Sequence, residues 1–192
     1  MLFRSGLRVR PLAGGTTAVE AAAGYLPDVT AAGATRALLD RGATVVLTHS
    51  TTDGWGPCSV DRAAIANRAG ADATVSIHAD GGPTGGRGFH VLEPALLPGL
   101  TDDIVEPSHS LAVALRDSMA RQSPFPVSDY IGTDGIMPRS DLGGLNRADV
   151  PAVFVECANM RNATDAVLLR DPATRQSIAT AIVSGLETFL AR

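Results

Sequence analysis

Two residues, His78 and Glu156, stand where an α/β protein does its chemistry. The run Ala73-Thr-Val-Ser-Ile-His78 alternates apolar and polar positions like a strand. It puts Ala73, Val75 and Ile77 on one face and Thr74, Ser76 and His78 on the other. The run Pro151-Ala-Val-Phe-Val-Glu156 reads as a second, buried strand, opened by a proline that fits a first strand position. Ligands of open α/β sheets gather at the carboxyl ends of strands. An imidazole there can ligate a metal or move a proton. A carboxylate placed after four apolar residues is desolvated, so its pKa rises. A general base working near neutral pH needs that property. The structural alternatives are a hydrogen-bonded histidine and a loop-bracing carboxylate.

The other histidines read as structural. His49 precedes the turn-like Ser50-Thr51-Thr52-Asp53, His90 sits mid-strand, and His109 lies at a helix start. No HExxH, GxSxG or Walker phosphate loop is present. Gly81-Gly82 and Gly85-Gly86-Arg87-Gly88 follow a strand without opening a helix, so they lack an anion-binding geometry.

The elements that must carry these residues alternate in type. Helices are expected over Thr30–Arg41, Val60–Ala69, Ser108–Gln122 and Asp171–Arg192, with Ser108 or Ser110 as a cap. Ile178, Ile182, Leu186 and Leu190 form an i+4 stripe on the last, widened by Phe189. Strands are expected at Ala43–Thr48, Ala73–His78, Gly88–Leu92 and Pro151–Glu156. This alternation predicts a single α/β domain with a twisted, largely parallel sheet and helices on both faces. Long loops at Asp80–Arg87, Glu93–Pro107 and Ser123–Asp149 predict a site built from loops.

With 192 residues, 45% hydrophobic and 19% charged, the chain can bury a full core. Its net charge of −4 argues against a nucleic-acid partner. All 16 basic residues are arginine, which reads as compositional bias. Apolar runs are too short to span a membrane, and the first residues lack the apolar core of a signal peptide. Taken literally, that start reads as cytoplasmic. Cys58 and Cys157 could form one disulfide, but neither sits in a CxxC spacing. Cys157, at a buried strand end, reads as a small core residue.

Longer stretches carry a resemblance. Gly42–Thr48, Asp61-Arg62-Ala-Ala-Ile-Ala-Asn67 and Ser76-Ile77-His78-Ala79 resemble the strand, helix and strand motifs of zinc-dependent N-acetylmuramoyl-L-alanine amidases of bacterial cell walls. Pro151–Glu156, continuing to Asn162, resembles their "P-A-V-L-V-E-x-G-x-x-x-N" segment. Gly56-Pro57-Cys58, Gly86–Val91 and Arg139–Asn146 are similar to the mycobacterial and actinobacterial branch. The likeness covers roughly residues 24–192, leaving 1–23 poorly matched.

The resemblance implies a Zn²⁺ held by two His and one Glu, with another Glu as base. It gives His78 the role of a metal ligand and Glu156 that of the catalytic base. The acidic ligand falls near Gly24, with Asp28 preferred and Glu20 as the alternative, from Gly24-Tyr25-Leu26-Pro27-Asp28. The "D-P-G-H" strand that supplies the first His has no match here. The resemblance therefore implies an N-terminally incomplete amidase, with an exposed edge or gap beside the Ala73 strand unless Leu7–Arg10 fills it. It also implies residues 1–23 loosely packed, and an upstream partner for Cys58. The expected partner is peptidoglycan or a muramyl peptide, the expected location the extracellular cell envelope, and the expected state a monomer. A non-catalytic peptidoglycan-binding or regulatory homologue remains the alternative, ahead of an unrelated cytosolic hydrolase.

Overall fold

The computed structural model describes residues 2–3, 16–21, 28–48 and 56–191. Among the described residues, six strands form one sheet: β1 (Leu2–Phe3), β2 (Thr16–Ala21), β3 (Ala71–Asp80), β4 (His90–Pro94), β5 (Ile136–Arg139) and β6 (Ala152–Asn159). Their order is β1-β2-β3-β6-β4-β5. The pairs β2–β3, β3–β6 and β4–β5 run parallel, whereas β1–β2 and β4–β6 run antiparallel. The expected α/β class and mainly parallel sheet are therefore found, with β4 and β5 reversed.

The helices are α1 (Asp28–Asp40), α2 (Ser59–Ala69), α3 (Val105–Gln122), α4 (Gly143–Asn146), α5 (Ala163–Arg170) and α6 (Pro172–Leu190). The expected alternation in β3 is realised. Ala73, Val75 and Ile77 join Val153, Val155 and Cys157 in the main core under α1, α3 and α6. On the other face, Phe154 and Ala152 pack with Leu92, Leu145 and Met137. That face is covered in part by α2 and α4.

Helix α6 shows how sequence dictates an element. Asp171 caps it, its carboxylate accepting from the N–H groups of Ala173 and Thr174, and Pro172 occupies the first turn. The stripe Ile178, Ile182, Leu186 and Leu190 is wholly buried. Gly185 lets α6 approach α3 closely; a Cβ there would lie 2.8 Å from Leu115 Cδ2. Gly70, at φ +55°, ends α2 in the left-handed region that favours glycine.

Several expectations need correction. Ala43–Thr48 is not a ladder strand, and its Val46 and Leu47 are exposed. Ala43 and Val46 make only isolated β-bridges, and an isolated bridge does not extend into a ladder. Nor does the Ala73 strand face a gap, because Thr16–Ala21 pairs along it from Ala71 to Ile77. Leu7–Arg10, the segment expected to fill that edge, lies outside the described residues.

Helix α3 begins at Val105, so neither serine caps it. Pro107 is tolerated in the first turn, where its missing N–H has no partner to lose. Ser108 is instead buried inside the helix and accepts the Ala152 N–H through Oγ. Strand β4 starts two residues later than expected. Gly88 has φ +101°, in the region that favours glycine, and a Cβ there would lie 2.4 Å from Pro126 O. The 123–149 loop contains β5 and α4, and α5 follows β6 directly.

Candidate active site

The sheet register assembles three titratable side chains in one row. His78 of β3 is the Cα partner of Glu156 of β6, and Glu156 is in turn the partner of His90 of β4. Cross-strand partners share a face, so His78, Glu156 and His90 look toward the same side of the sheet. The two residues expected from sequence to face one cleft are thus brought together. The reversal of β4 adds a third, which sequence reading assigned to structure alone.

His78 Nδ1 lies 3.9 Å from Glu156 Oε1, an ion-pair distance too long for a hydrogen bond. The imidazole is 30% exposed and its ring packs on Phe154, with centroids 4.8 Å apart. Phe154 sits two residues before Glu156 and therefore on the same face. The Glu156 side chain is only 11% exposed. Burial pushes its carboxyl up to about 7, Asp80 adds to the rise, and the charge of Arg139 opposes it. Among the described residues, nothing donates to Glu156 Oε2. The carboxylate is therefore both desolvated and uncommitted, as a proton acceptor must be.

Asp80 closes β3 beside this pair. Its Oδ2 accepts from the Tyr130 hydroxyl at 2.7 Å and its Oδ1 from the Gly81 N–H at 2.7 Å. The Tyr130 ring lies against the glycine loop: a Cβ on Gly82 or Gly86 would meet its ring carbons at 2.5 Å. Its edge meets His90, with ring centroids 6.1 Å apart. Burial and the neighbouring Asp80 hold the Tyr130 phenol well above its usual range, so it stays a donor. Burial lowers the pKa of His90, against the opposing pull of Asp80.

The loop between β3 and β4 is braced from below. Buried Asn159 donates from Nδ2 to the carbonyls of Pro83 and Gly86, both at 2.7 Å. Buried Asp165 accepts from the Gly88 N–H at 2.7 Å, from the Asn159 N–H and from the Arg87 guanidinium. Asn162 caps α5 and also reaches Thr84 O. These polar residues hold the cleft wall that carries Gly82 and Gly86.

The remaining candidates divide. His109 binds buried Glu93 at 2.9 Å, so it braces α3 against β4, as its structural reading implied. Asp28 opens α1, and Glu20 pairs with Ser76, two residues before His78. The side chains of both lie outside the described part, as does His49. Among the described residues, no three His, Cys, Asp or Glu side chains converge on one point. Cys58 is exposed and Cys157 buried, and no disulfide joins them. Asp80, His90, Tyr130 and Arg139 are the site residues that sequence reading missed. For His90 a signal existed: flanking Phe89 and Val91 are core residues, so parity points His90 to the opposite face.

Comparison with known proteins shows the family. The family model described as N-acetylmuramoyl-L-alanine amidase matches residues 28–188. An N-acetylmuramoyl-L-alanine amidase of Mycobacterium tuberculosis is 43% identical over 150 residues, covering 78% of this chain and 61% of its own length. The chain thus spans about three-fifths of that relative. The crystal structure of an N-acetylmuramyl-L-alanine amidase from Mycobacterium smegmatis superposes with a TM-score of 0.80 at 43% identity, over 84% of this chain and 74% of that one. The corresponding enzyme of Mycobacterium abscessus gives 0.79 at 39% identity, over 84% and 75%. With the match spanning most of the chain and a sheet that seats His78 against Glu156, the protein belongs to the N-acetylmuramoyl-L-alanine amidase family.

Proposed function

We propose that the protein hydrolyses the amide between N-acetylmuramic acid and the L-alanine of the peptidoglycan stem, with Glu156 as general base. The observation that carries this reading is the pairing of a part-exposed His78 with a buried, uncommitted Glu156 in one row of the sheet. Family membership supports the substrate class.

Glu156 takes a proton from the attacking water and returns it to the leaving amine of L-alanine. Its raised carboxyl suits both directions of transfer near neutral pH. Phe154 orients the His78 ring and keeps bulk water from that side. Asp80, fixed by Tyr130, sets the negative field that helps keep the Glu156 proton affinity high.

In the same reading His78 is a ligand of Zn²⁺, joined by an acidic residue of the N-terminal part, Asp28 or Glu20. The chemistry of this donor fits: an imidazole backed by an aromatic ring, at a strand end, and 3.9 Å from the base rather than hydrogen-bonded to it. When bound, zinc supplies Lewis acidity, lowering the pKa of water and polarising the scissile carbonyl. The protein acts as a monomer in the cell envelope, where its substrate lies. No described helix is long and apolar enough to cross a membrane.

The test compares variants on purified peptidoglycan with zinc present. Glu156→Gln abolishes release of stem peptides with a free L-alanine amine while leaving zinc content and binding to peptidoglycan near those of the wild type. His78→Ala loses metal and activity together. Wild-type protein that binds peptidoglycan but releases no stem peptide sinks the enzyme reading in favour of a binding module.

A further inference from the structure

His90 is the member of the sheet row that the proposed hydrolysis does not use. It is the Cα partner of Glu156 in the antiparallel pair of β4 and β6. Such partners hold their Cβ atoms about 4.5–5.5 Å apart on one face. The pair two residues along, Leu92 with Phe154, is apolar and closes that side of the row. The edge of the Tyr130 ring closes another, with its centroid 6.1 Å from that of His90.

Each of the two residues keeps one polar atom without a partner. Glu156 Oε2 and His90 Nδ1 are both sealed from solvent, and neither meets a hydrogen-bonding group among the described residues. The residues themselves are 8% and 2% exposed. The neighbouring acids are engaged directly: Asp80 by Tyr130, and Glu93, on the opposite face of β4, by His109. An unsatisfied buried polar atom costs about 1–3 kcal/mol, so two of them on adjacent side chains call for a common occupant. A carboxylate oxygen only accepts, and burial favours the uncharged imidazole, which carries one accepting nitrogen. A molecule seated between two acceptors must donate twice. One water does so and satisfies both.

Resting on the amidase reading of the same site, we propose that His90 is a catalytic residue whose Nδ1, with Glu156 Oε2, holds the water that attacks the scissile amide. The water gives one O–H to each acceptor, which leaves its lone pairs free for the carbonyl carbon. As the new C–O bond forms, one proton passes to Glu156 Oε2. The other O–H stays on the oxygen and stays bonded to Nδ1. Glu156 then gives its proton to the nitrogen of L-alanine as the C–N bond breaks, leaving a carboxylic acid and an amine. His90 neither gains nor loses a proton; it fixes the direction of attack.

The experiment is a crystal structure of the whole chain with zinc, at a resolution that shows ordered water. It is joined to kinetics of wild type, His90→Phe and His90→Asn on a soluble muramyl peptide. The structure shows one water within hydrogen-bond distance of both Glu156 Oε2 and His90 Nδ1. His90→Phe keeps a ring but no polar atom, and lowers kcat about tenfold or more, the worth of one hydrogen bond in the transition state. Its KM and zinc content stay near those of the wild type. His90→Asn, which puts an amide oxygen near the place of Nδ1, recovers most of that loss. A structure with no water between the two atoms overturns the proposal, as does an unchanged kcat in His90→Phe or a His90→Asn as slow as His90→Phe. Should His90→Phe not fold, the wild-type structure and the kcat of His90→Asn against wild type still decide it. A bridging water in a chain that cleaves nothing keeps the water site and sinks its catalytic use together with the amidase reading. Cleavage without that water sinks the His90 role alone.

Discussion

The Tyr130 hydroxyl donates to Asp80 Oδ2 at 2.7 Å, tying a loop that precedes β5 to the carboxyl end of β3, fifty residues earlier. The ring that carries this hydroxyl is seated on Gly82 and Gly86. One side chain thus fixes both the acid beside Glu156 and the wall of the cleft. Tyr130→Phe keeps the ring packing and removes only the donor. It should cost about 1 kcal/mol in urea unfolding. It should also lower kcat on a soluble muramyl peptide more than it raises KM. An unchanged kcat would mean that Asp80 needs no anchor.

The pH dependence follows from Glu156. A base must be deprotonated, so kcat of the wild type should rise with pH through about 7, the value to which burial lifts this carboxyl. A rate already flat between pH 5 and 8 would contradict that assignment.

Stability of the metal-free protein should move in the opposite sense. The folded-state value of about 7 lies above the ordinary 4.5, so the stability tied to the neutral acid is full below about 4.5. It is lost as pH rises through about 7. Glu156→Gln stays neutral and escapes this loss. Relative to wild type, it should gain up to roughly 3 kcal/mol between pH 4.5 and 8, read from paired urea titrations.

Asp165 makes a structural prediction. Its buried carboxylate serves Gly88 N–H, Asn159 N–H and Arg87 at once. Asp165→Ala strands two buried N–H groups and an arginine, and should cost about 3–5 kcal/mol. Asp165→Asn should cost less, since one oxygen can still accept. A loss under about 1 kcal/mol for the alanine variant would show that water replaces the carboxylate freely.

Gly185→Ala tests the seam between α3 and α6. The added methyl would lie 2.8 Å from Leu115 Cδ2 and 2.9 Å from Leu115 Cα. The side chain can rotate, but the backbone cannot. Overpacking should outweigh the better helix propensity of alanine and destabilise by about 1–3 kcal/mol. A higher melting temperature would mean that the helices slide apart without loss.

What could be read from sequence was what period and parity encode. The alternation from Ala73 to His78 and the i+4 stripe from Ile178 to Leu190 fix which side of each element is buried, and both faces are as expected. Chain reversal carries no such local mark. Nothing in residues 88–94 says that the strand runs against β6, so His90 could not be matched to Glu156. Tyr130 and Arg139 come from segments that read as plain loop, where position is set by tertiary contacts rather than by periodicity. Ala43–Thr48 failed for the opposite reason: its β-branched run is strand-like, but it pairs only through isolated bridges at Ala43 and Val46.

The strand that carries Glu156 lies between the two that carry His78 and His90. During synthesis at a ribosome, β3 and β4 emerge long before β6 does. Until roughly residue 159 has left the exit tunnel, the row of His78, Glu156 and His90 does not exist. Closing it is among the last and most non-local events of folding. A nascent or prematurely terminated chain therefore carries none of the site's chemistry, and its open β3 and β4 edges mark it as a client for chaperones and proteases.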